Sequence, residues 1–599
     1  MRREEVLTLY RERREQRARE KAERKRTVDI VSYARLATFA SGIALLWFVW
    51  ERTPASWPFL LAPVSLFLIL LAVHLRLNDK LTRVGRAERF YLRGIERLEG
   101  AWKGKGRTGE RFFDKHHPYA RDLDVFGRGS LFELLDVTVS PWGTKTLASW
   151  LSHPATLAEV RLRQDALAEL GPLVDLREKV ASQPSEEDEI AAPESLGAWV
   201  TSPLVLTSGL ARIAALALGL AATTLAVLWL ASMAERVWFF VVLAATSAFA
   251  GHFRSRVSGV LSAAEGPTRD LSVLASLLAI LESQTFSSPH LVALQSRLVS
   301  QGETASASVR RLAQLIQYLD ARRNQLFLPL AGLLLWGTQF AFAIEAWRRA
   351  SGHDVPRWLE AVGELDALLA LASYGFENPD DVFPETKGPP MDDALFEAEG
   401  LGHPLIPLDR VVRNDVKLGG NLRVLIVSGS NMSGKSTLLR AVGVNAVLAL
   451  AGAPVRARSL TLSRLRVGAS IRVEDSLEEG ISHFYAEILR LRQVMELTGG
   501  EIPVLFLLDE ILHGTNSHDR RIGAEAVVRG LVEKGAIGLI TTHDLALARL
   551  SETMPGRAAN VHFEDHIEDG KIHFDYRMRD GVVKKSNALE LMRGIGLEV

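Results

Sequence analysis

Four long apolar stretches stand out in a chain that otherwise mixes polar and hydrophobic positions. They occupy residues 36–50, 57–75, 213–233 and 237–252. Short polar linkers join the first stretch to the second and the third to the fourth. A membrane-spanning helix needs about 20 apolar residues, which the first stretch reaches if it extends back toward Ile30, and Trp47 and Trp57 lie where interfacial aromatic residues belong. The pattern predicts two transmembrane helical hairpins, within residues 31–95 and 206–256.

Basic residues set the expected orientation of these hairpins. Arg76 and Lys80 follow the first hairpin, and Arg212 and Arg254 flank the second. Since positive residues favour the cytoplasmic side, we expect a multi-pass protein of the cell membrane whose N-terminus and C-terminal part lie in the cytoplasm. A signal peptide is the alternative interpretation of the first stretch, but no small-residue cleavage pattern precedes the second.

A fifth apolar run, residues 326–344, is long enough to span a membrane. A fifth crossing would place the C-terminal part outside the cell, and the run contains Pro329 and Gln339. We therefore predict a buried helix of the soluble part.

The remaining N-terminal segments have helical periodicity. Residues 1–30 alternate basic and acidic side chains and predict a solvated helix, whose arginines we interpret as topology determinants rather than as contacts to lipid or DNA phosphates. Residues 96–205 and 257–378 predict two parts of a helical core. Leucines of the second part recur at helical spacing and predict a buried face; they are Leu271, Leu274, Leu277, Leu278 and Leu281.

The C-terminal segment, residues 379–599, reads as an α/β domain that follows a linker rich in proline and glycine. An apolar strand leads into residues 429–437, which read Gly-Ser-Asn-Met-Ser-Gly-Lys-Ser-Thr, and then into a helix. Such a loop cradles phosphates with its backbone N–H groups, a lysine and a hydroxyl that can reach Mg²⁺. The predicted nucleotide-binding residues are Gly429, Ser430, Asn431, Met432, Ser433, Gly434, Lys435, Ser436 and Thr437, for ATP or GTP.

Two further strands supply candidate chemistry. Residues 504–508 form a continuous apolar run that ends in Asp509 and Glu510. In this pattern Asp509 would hold Mg²⁺ together with Ser436, and Glu510 would polarise the attacking water. Residues 537–542 form the next apolar run and end at His543, which takes the position of a γ-phosphate sensor.

The composition excludes some kinds of site but indicates no particular binding partner. The chain has 599 residues, with 71 basic and 71 acidic side chains, so net charge predicts no particular ligand. It has no cysteine, which excludes disulfides and thiolate sites. His513 and His518 flank a polar loop, but without a third ligand we interpret them as exposed loop histidines.

The C-terminal motifs resemble the ATPase domain of MutS-type DNA mismatch repair proteins. The resemblance rests on the loop at 431–437, on Asp509-Glu510 followed by Gly514-Thr515-Asn516-Ser517, on Gly402-His403-Pro404 before the loop, and on residues 480–487. It extends to residues 120–200 and 300–378, and the whole chain is most similar to the membrane-associated branch of MutS-related proteins.

That resemblance implies a multidomain fold, in which a helical MutS-like core interrupted by transmembrane hairpins precedes an ABC-type P-loop ATPase domain. It also implies ATP and Mg²⁺ as cofactors, catalysis by Glu510, Lys435 and His543, and a homodimer in which Ser482 of one subunit approaches the nucleotide of the other. His483 departs from the threonine expected beside that serine.

The resemblance implies DNA binding, but we find no Phe-x-Glu wedge motif of the kind that reads mismatches, and residues 1–100 hold charged helix and hairpin instead. The leading hypothesis is a membrane-anchored, MutS-like, Mg²⁺-dependent ATPase that binds DNA through an ATP-controlled dimer. The alternative is a membrane-coupled ABC-type ATPase in transport or membrane remodelling. Against it, no Leu-Ser-Gly-Gly-type loop precedes residue 504 and the spans carry no intramembrane charges.

Overall fold

The computed structural model of the chain has a helical N-terminal region and a C-terminal α/β domain. It describes residues 1–52, 59–184, 194–265, 268–299, 303–320, 327–388, 394–430, 432–472, 483–513, 516–543, 545–568 and 571–583.

The chain begins with a long antiparallel pair of helices, α1 (Arg3–Arg52) and α2 (Leu61–Leu98). The charged start and the first apolar stretch form one continuous helix rather than two units. The predicted solvated helix over 1–30 is wrong in part, because Val6 and Tyr10 are fully buried against Tyr91 and its neighbours on α2. Tyr10 also stacks on Phe376, with 6.1 Å between the ring centroids. These contacts attach the base of the hairpin to the helical core.

The second apolar pair forms α8 (Gly209–Leu230) and α9 (Arg236–Glu265). Among the described residues, four helices are long and apolar enough to cross a membrane: α1, α2, α8 and α9. The most apolar 18-residue segments of α1 and α2 contain no buried residue. In α8 and α9, 17% and 11% of the corresponding segment is buried. Large apolar side chains therefore face outward along all four helices.

The fifth apolar run does not form the single buried helix that its sequence predicts. Its described part divides into α13 (Leu328–Leu333) and α14 (Trp336–Ser351), separated by Leu335, whose φ is +50°. Phe342 and Ile344 are buried, whereas Leu328 is 59% exposed. The break at Leu335 interrupts the helix because a left-handed residue cannot continue it.

The helical core surrounds α15 (Val355–Glu377), which is buried along most of its length. Packed against it are α3 (Leu131–Leu135), α4 (Pro141–Ser152), α5 (Leu157–Leu170), α7 (Glu194–Thr201), α10 (Thr268–Ser283) and α11 (Pro289–Ser296). Farther out, α6 (Val174–Ala181) packs on α2, and α12 (Ala305–Asp320) packs on α10 and α14. The predicted leucine stripe on α10 is buried, with Leu271, Leu274, Leu277, Leu278 and Leu281 each no more than 1% exposed.

Asp366 of α15 is a polar centre of this core. Its carboxylate accepts the backbone N–H groups of Val139 and Ser140 at 3.0 and 2.7 Å and the Ser140 hydroxyl at 2.6 Å. Ser140 in turn caps α4 by accepting the N–H of Gly143. Burial raises the pKa of Asp366 to about 6, although these hydrogen bonds favour its charged form. One carboxylate thus joins the start of α4 to the central helix.

The α/β domain contains two sheets. The smaller sheet has strand order β1-β5-β2-β3, with β1 (Glu385–Thr386), β2 (Phe396–Leu401), β3 (Asn414–Leu418) and β5 (Ser459–Leu462). The larger has order β10-β9-β4-β8-β7-β6, with β4 (Val424–Ser428), β6 (Arg466–Ser470), β7 (Val504–Leu508), β8 (Ile537–Thr542), β9 (Ala558–Glu568) and β10 (Lys571–Asp580). In the larger sheet every neighbouring pair is parallel except β9 with β10.

Helices cover both faces of the larger sheet, as a parallel sheet requires. They are α16 (Lys435–Ala451), α17 (His483–Leu497), α18 (Ser517–Glu533), α19 (Leu545–Ala548) and α20 (Leu550–Thr553). Strands β4, β7 and β8 are buried at every residue. The helix α16 also packs on α4 and α5, so it contacts the sheet on one side and the helical core on the other.

A buried polar network connects α16 with the base of the first hairpin. Asn445 of α16 accepts the N–H of Arg456 at 2.7 Å. The Arg456 guanidinium donates to Asp381 at 2.7 Å and to the side-chain oxygen of Asn378 at 3.1 Å. That oxygen also accepts Arg3 of α1 at 2.5 Å. Helix α16 and the first hairpin are therefore joined by side-chain and backbone hydrogen bonds.

Candidate nucleotide site

The predicted phosphate loop lies between β4 and α16 at the carboxyl end of the larger sheet. Gly429 and Gly434 have φ of +150° and +107°. A Cβ on Gly429 would lie 2.9 Å from the Ser433 hydroxyl and 3.1 Å from the Phe563 carbonyl. A side chain at Gly429 would therefore be both strained and crowded, and glycine is what lets the chain turn tightly here.

Lys435 is the first residue of α16 and is 4% exposed. Its ammonium group donates to the carbonyls of Gly429 and Ser430 at 2.9 and 2.8 Å and lies 3.6 Å from Oε1 of Glu510. Burial lowers the pKa of Lys435, while Glu510 and then Asp509 oppose that shift. The lysine is thus held inside the loop beside the carboxylates that follow β7.

The end of β7 is fixed against β8. Leu508 pairs with Ile540 in parallel register, so Asp509 and Glu510 emerge beside Thr541. The Thr541 hydroxyl donates to Asp509, and the N–H of Glu510 donates to the same hydroxyl at 3.0 Å. Glu510 has a φ of +46°, which is uncommon for a residue with a side chain. Left-handed, strained residues of this kind cluster at functional sites.

Glu510 faces different partners with its two oxygens. Oε1 faces Lys435, while Oε2 lies 3.6 Å from Nδ1 of His543 and 3.8 Å from Nε2 of His513. The rings of His513 and His543 are 4.9 Å apart between centroids. His513 and His518 are exposed, as predicted, and the fold additionally places Glu510 and His543 beside His513.

The α/β domain that carries this site is similar to known proteins. A family model described as MutS domain V matches residues 425–598. The chain is 32% identical over 262 residues to "Endonuclease MutS2" of Thermus thermophilus, a match that covers 42% of this chain and 32% of that protein. It is 32% identical over 251 residues to "DNA mismatch repair protein MSH3" of Phaeosphaeria nodorum, covering 39% of this chain and 21% of that protein.

The C-terminal part of the chain is similar to MutS domain V. "Endonuclease MutS2" of Clostridium botulinum gives a similar match, 34% identical over 248 residues, covering 40% of this chain and 29% of that protein. In each case the match spans about a third or less of the relative's length. The MutS likeness predicted from the loop motifs is therefore confirmed.

The structure places most of the predicted site residues together. Gly429, Ser430, Ser433, Gly434 and Lys435 form the loop, and Ser436 and Thr437 continue into the first turn of α16. Met432 is 83% exposed and has a φ of +74°. Asn431 and Ser482 lie outside the described residues, so their predicted roles stay predictions.

Tyr576 is a site residue that the sequence reasoning missed. It lies on β10 at a register shift between Phe574 and Met578, with a φ of +54°. Its ring lies 3.1 Å from the position of a Cβ on Gly434, and Asn414 accepts the N–H of Met578 at 2.8 Å and donates to the Tyr576 carbonyl at 3.0 Å. No sequence motif predicts a role for Tyr576, because Tyr576 reaches the phosphate loop only through the pairing of β10 with β9 and of β9 with β4.

The MutS-like loop has the donor set that a nucleotide with its Mg²⁺ ion requires. The hydroxyls of Ser430 and Ser433 are buried and find no hydrogen-bond partner among the described residues. Backbone N–H groups, Lys435 and these hydroxyls are suited to phosphate, while Ser436 and Asp509 offer oxygen ligands of the type that Mg²⁺ prefers. The residues present therefore fit both groups.

Proposed function

We propose that this protein is a membrane-anchored, MutS-like, Mg²⁺-dependent ATPase. The observation that carries the proposal is the convergence of Lys435, Glu510 and His543 from three strands at one edge of the sheet, with 3.6 Å separating Glu510 from each of the other two. A P-loop lysine, a carboxylate after the neighbouring strand and a polar residue after the next are the parts that phosphoryl transfer to water needs.

Each of these side chains has a definite task in the proposed reaction. Gly429 and Gly434 bring backbone N–H groups toward the phosphates, and Lys435 stabilises the charge that develops on the transferred group. Glu510 orients the attacking water, and His543 contacts the terminal phosphate. Ser436 and Asp509 would hold Mg²⁺, which neutralises phosphate charge when bound.

Membrane anchoring rests on the four outward-facing apolar helices. Their exposed apolar surface has no counterpart in ordinary soluble monomers, where large contiguous apolar patches mark interaction or membrane surfaces. Two hairpins keep the α/β domain on the side where the chain begins, and the flanking basic residues favour the cytoplasm of the cell. The hydrogen-bonded network through Asn445, Arg456 and Asn378 offers a route between the hairpin and the nucleotide helix.

Dimerisation and DNA binding are proposed from the relatives. The names endonuclease MutS2 and DNA mismatch repair protein MSH3 associate these relatives with DNA cleavage and with mismatch repair. We propose an ATP-controlled homodimer, with Ser482 of each subunit reaching the partner's nucleotide, that binds DNA. We do not extend nuclease activity to this chain, since the match covers only 32% of the Thermus protein.

The test is ATP hydrolysis by detergent-purified protein. Glu510→Gln should keep ATP binding and slow hydrolysis by at least about 100-fold, the scale of a lost general base, whereas Lys435→Ala should weaken binding itself. An unchanged hydrolysis rate in Glu510→Gln would refute the assignment.

DNA binding is tested separately on the same preparation. Hydrolysis is measured with homoduplex, mismatched and branched DNA at a stated salt concentration, because phosphate contacts depend steeply on salt. Stimulation by any of these supports the DNA proposal. If none stimulates hydrolysis or binds, the DNA part is refuted and a membrane-coupled ATPase remains.

A further inference from the structure

Three potential metal ligands meet beside the loop that follows β7. They are one carboxylate oxygen of Glu510 and one ring nitrogen each of His513 and His543, and these three atoms lie within 4.8 Å of one another. His543 and Glu510 already belong to the proposed hydrolytic site. His513 has no task there, and its presence is what turns a carboxylate and a histidine into a three-ligand set.

We propose that Glu510, His513 and His543 form a binding site for a divalent transition metal ion such as Zn²⁺, distinct from the Mg²⁺ site at Ser436 and Asp509. The chemistry of the donors decides the class of ion. Two imidazole nitrogens and one carboxylate are a common ligand set for Zn²⁺, whereas Mg²⁺ selects oxygen ligands. The absence of cysteine from the chain leaves histidine as the softer ligand available.

The distances suit this assignment. Zinc bonds of about 2.0–2.2 Å to nitrogen and oxygen in a tetrahedron place neighbouring ligand atoms about 3.4 Å apart. The Glu510 oxygen lies 3.6 Å from the His543 nitrogen and 3.8 Å from the His513 nitrogen. The two histidine nitrogens lie within 4.8 Å of each other. The side chains of His513 and His543 are 49% and 41% exposed, so their rings are free to rotate toward the spacing of a tetrahedral site.

The backbone under the three ligands is held in place. The N–H of Glu510 donates to Thr541, and Arg520 donates to the carbonyls of Leu512 and His513, both at 3.0 Å. His543 directly follows β8, which is paired on both sides. Metal binding would therefore cost little backbone ordering, because the ligand-bearing segments are already fixed.

The proposed site has a consequence for hydrolysis. A metal ion bound to Oε2 of Glu510 would prevent this carboxylate from orienting the attacking water, while Oε1 of Glu510 would still face Lys435. Zinc should therefore inhibit hydrolysis in the presence of excess Mg²⁺. This consequence rests on the proposed ATPase function, whereas metal binding itself does not.

Binding is measured on the full chain in detergent, purified without a polyhistidine tag, stripped of metal and then saturated with Mg²⁺. Co²⁺ is titrated while its visible absorption, which is intense in tetrahedral sites, is recorded, and Zn²⁺ is added to displace it. His513→Asn removes one ligand, and His518→Asn is the matched control because His518 is an exposed histidine five residues away that lies outside the cluster. Circular dichroism checks that both variants fold.

We expect wild type and His518→Asn to bind Co²⁺ alike, and His513→Asn to bind at least about tenfold more weakly, since even outer-shell partners are worth about 10–100-fold in metal affinity. Zinc should inhibit the ATPase of wild type and His518→Asn at lower concentration than that of His513→Asn. Equal Co²⁺ affinity in the two variants, or no tetrahedral Co²⁺ spectrum in wild type, overturns the site. Failure of hydrolysis in wild type with Co²⁺ binding intact refutes the ATPase proposal and leaves the metal site standing.

Discussion

Replacing Gly143 with alanine should destabilise the helical core through a contact far from the nucleotide site. A Cβ at this position would lie 2.6 Å from both Cβ and Cγ of Asp366, a distance that real Cβ atoms essentially never show. Asp366 is 2% exposed and accepts three hydrogen bonds from Val139 and Ser140, so it cannot step aside without breaking some of them.

The magnitude follows from these contacts. One lost hydrogen bond to a buried charged group costs about 2 kcal/mol, and overpacking a tight core costs about 2 kcal/mol more. We expect Gly143→Ala to lower the free energy of unfolding by about 4 kcal/mol, a large part of the 5–15 kcal/mol that is typical of a protein.

The assay is chemical unfolding in detergent, followed by tryptophan fluorescence, with Gly197→Ala as the control. Gly197 lies in α7 of the same core, and a Cβ there would make only an ordinary contact with Leu359 at 3.8 Å. Alanine is the better helix former by about 1 kcal/mol, so the control should be neutral or stabilising. If Gly143→Ala changes stability by less than about 1 kcal/mol, the reasoning about Asp366 is refuted.

Three further predictions concern other parts of the molecule. Because burial raises the pKa of Asp366 from 3.8 to about 6, the folded state holds this proton more tightly, so stability should fall by about 2 kcal/mol as pH rises from 4 to 7. The difference between wild type and Asp366→Asn in unfolding experiments measures this loss, and a difference independent of pH contradicts it. Tyr576→Ala should weaken nucleotide binding by about 1–3 kcal/mol through lost base stacking while Tyr576→Phe retains it, as measured by titration calorimetry; equal affinities would exclude a stacking role. Arg456→Ala should lower the free energy of unfolding by about 3–5 kcal/mol, because the buried Asp381 loses its cationic partner and keeps only the Tyr374 hydroxyl. Arg458→Ala, at a side chain 69% exposed, should have an effect below about 1 kcal/mol, and similar effects in the two variants would contradict the importance of the network.

The elements of this protein follow from local sequence where their signal is strong. The apolar stretches form α1, α2, α8 and α9, and the runs at 504–508 and 537–542 form buried parallel strands. The prediction failed where tertiary contacts override the local pattern. Leu335 breaks the fifth apolar run, and Val6 and Tyr10 are buried although the segment around them is strongly charged.

The sequence by itself determined the phosphate loop and the carboxylates after β7. The glycines and lysine of residues 429–435 are typical of a tight strand-to-helix turn, and Asp509 and Glu510 directly follow a buried strand. Only the tertiary structure decided which side chains surround them. His513 follows Glu510 by three residues and His543 ends the apolar run of β8, but neither position shows that the two rings meet at Glu510. No spacing along the chain relates Tyr576 to Gly434. The strand order β10-β9-β4-β8-β7-β6 brings these side chains to one edge, since parallel strands carry their carboxyl ends to the same side of the sheet.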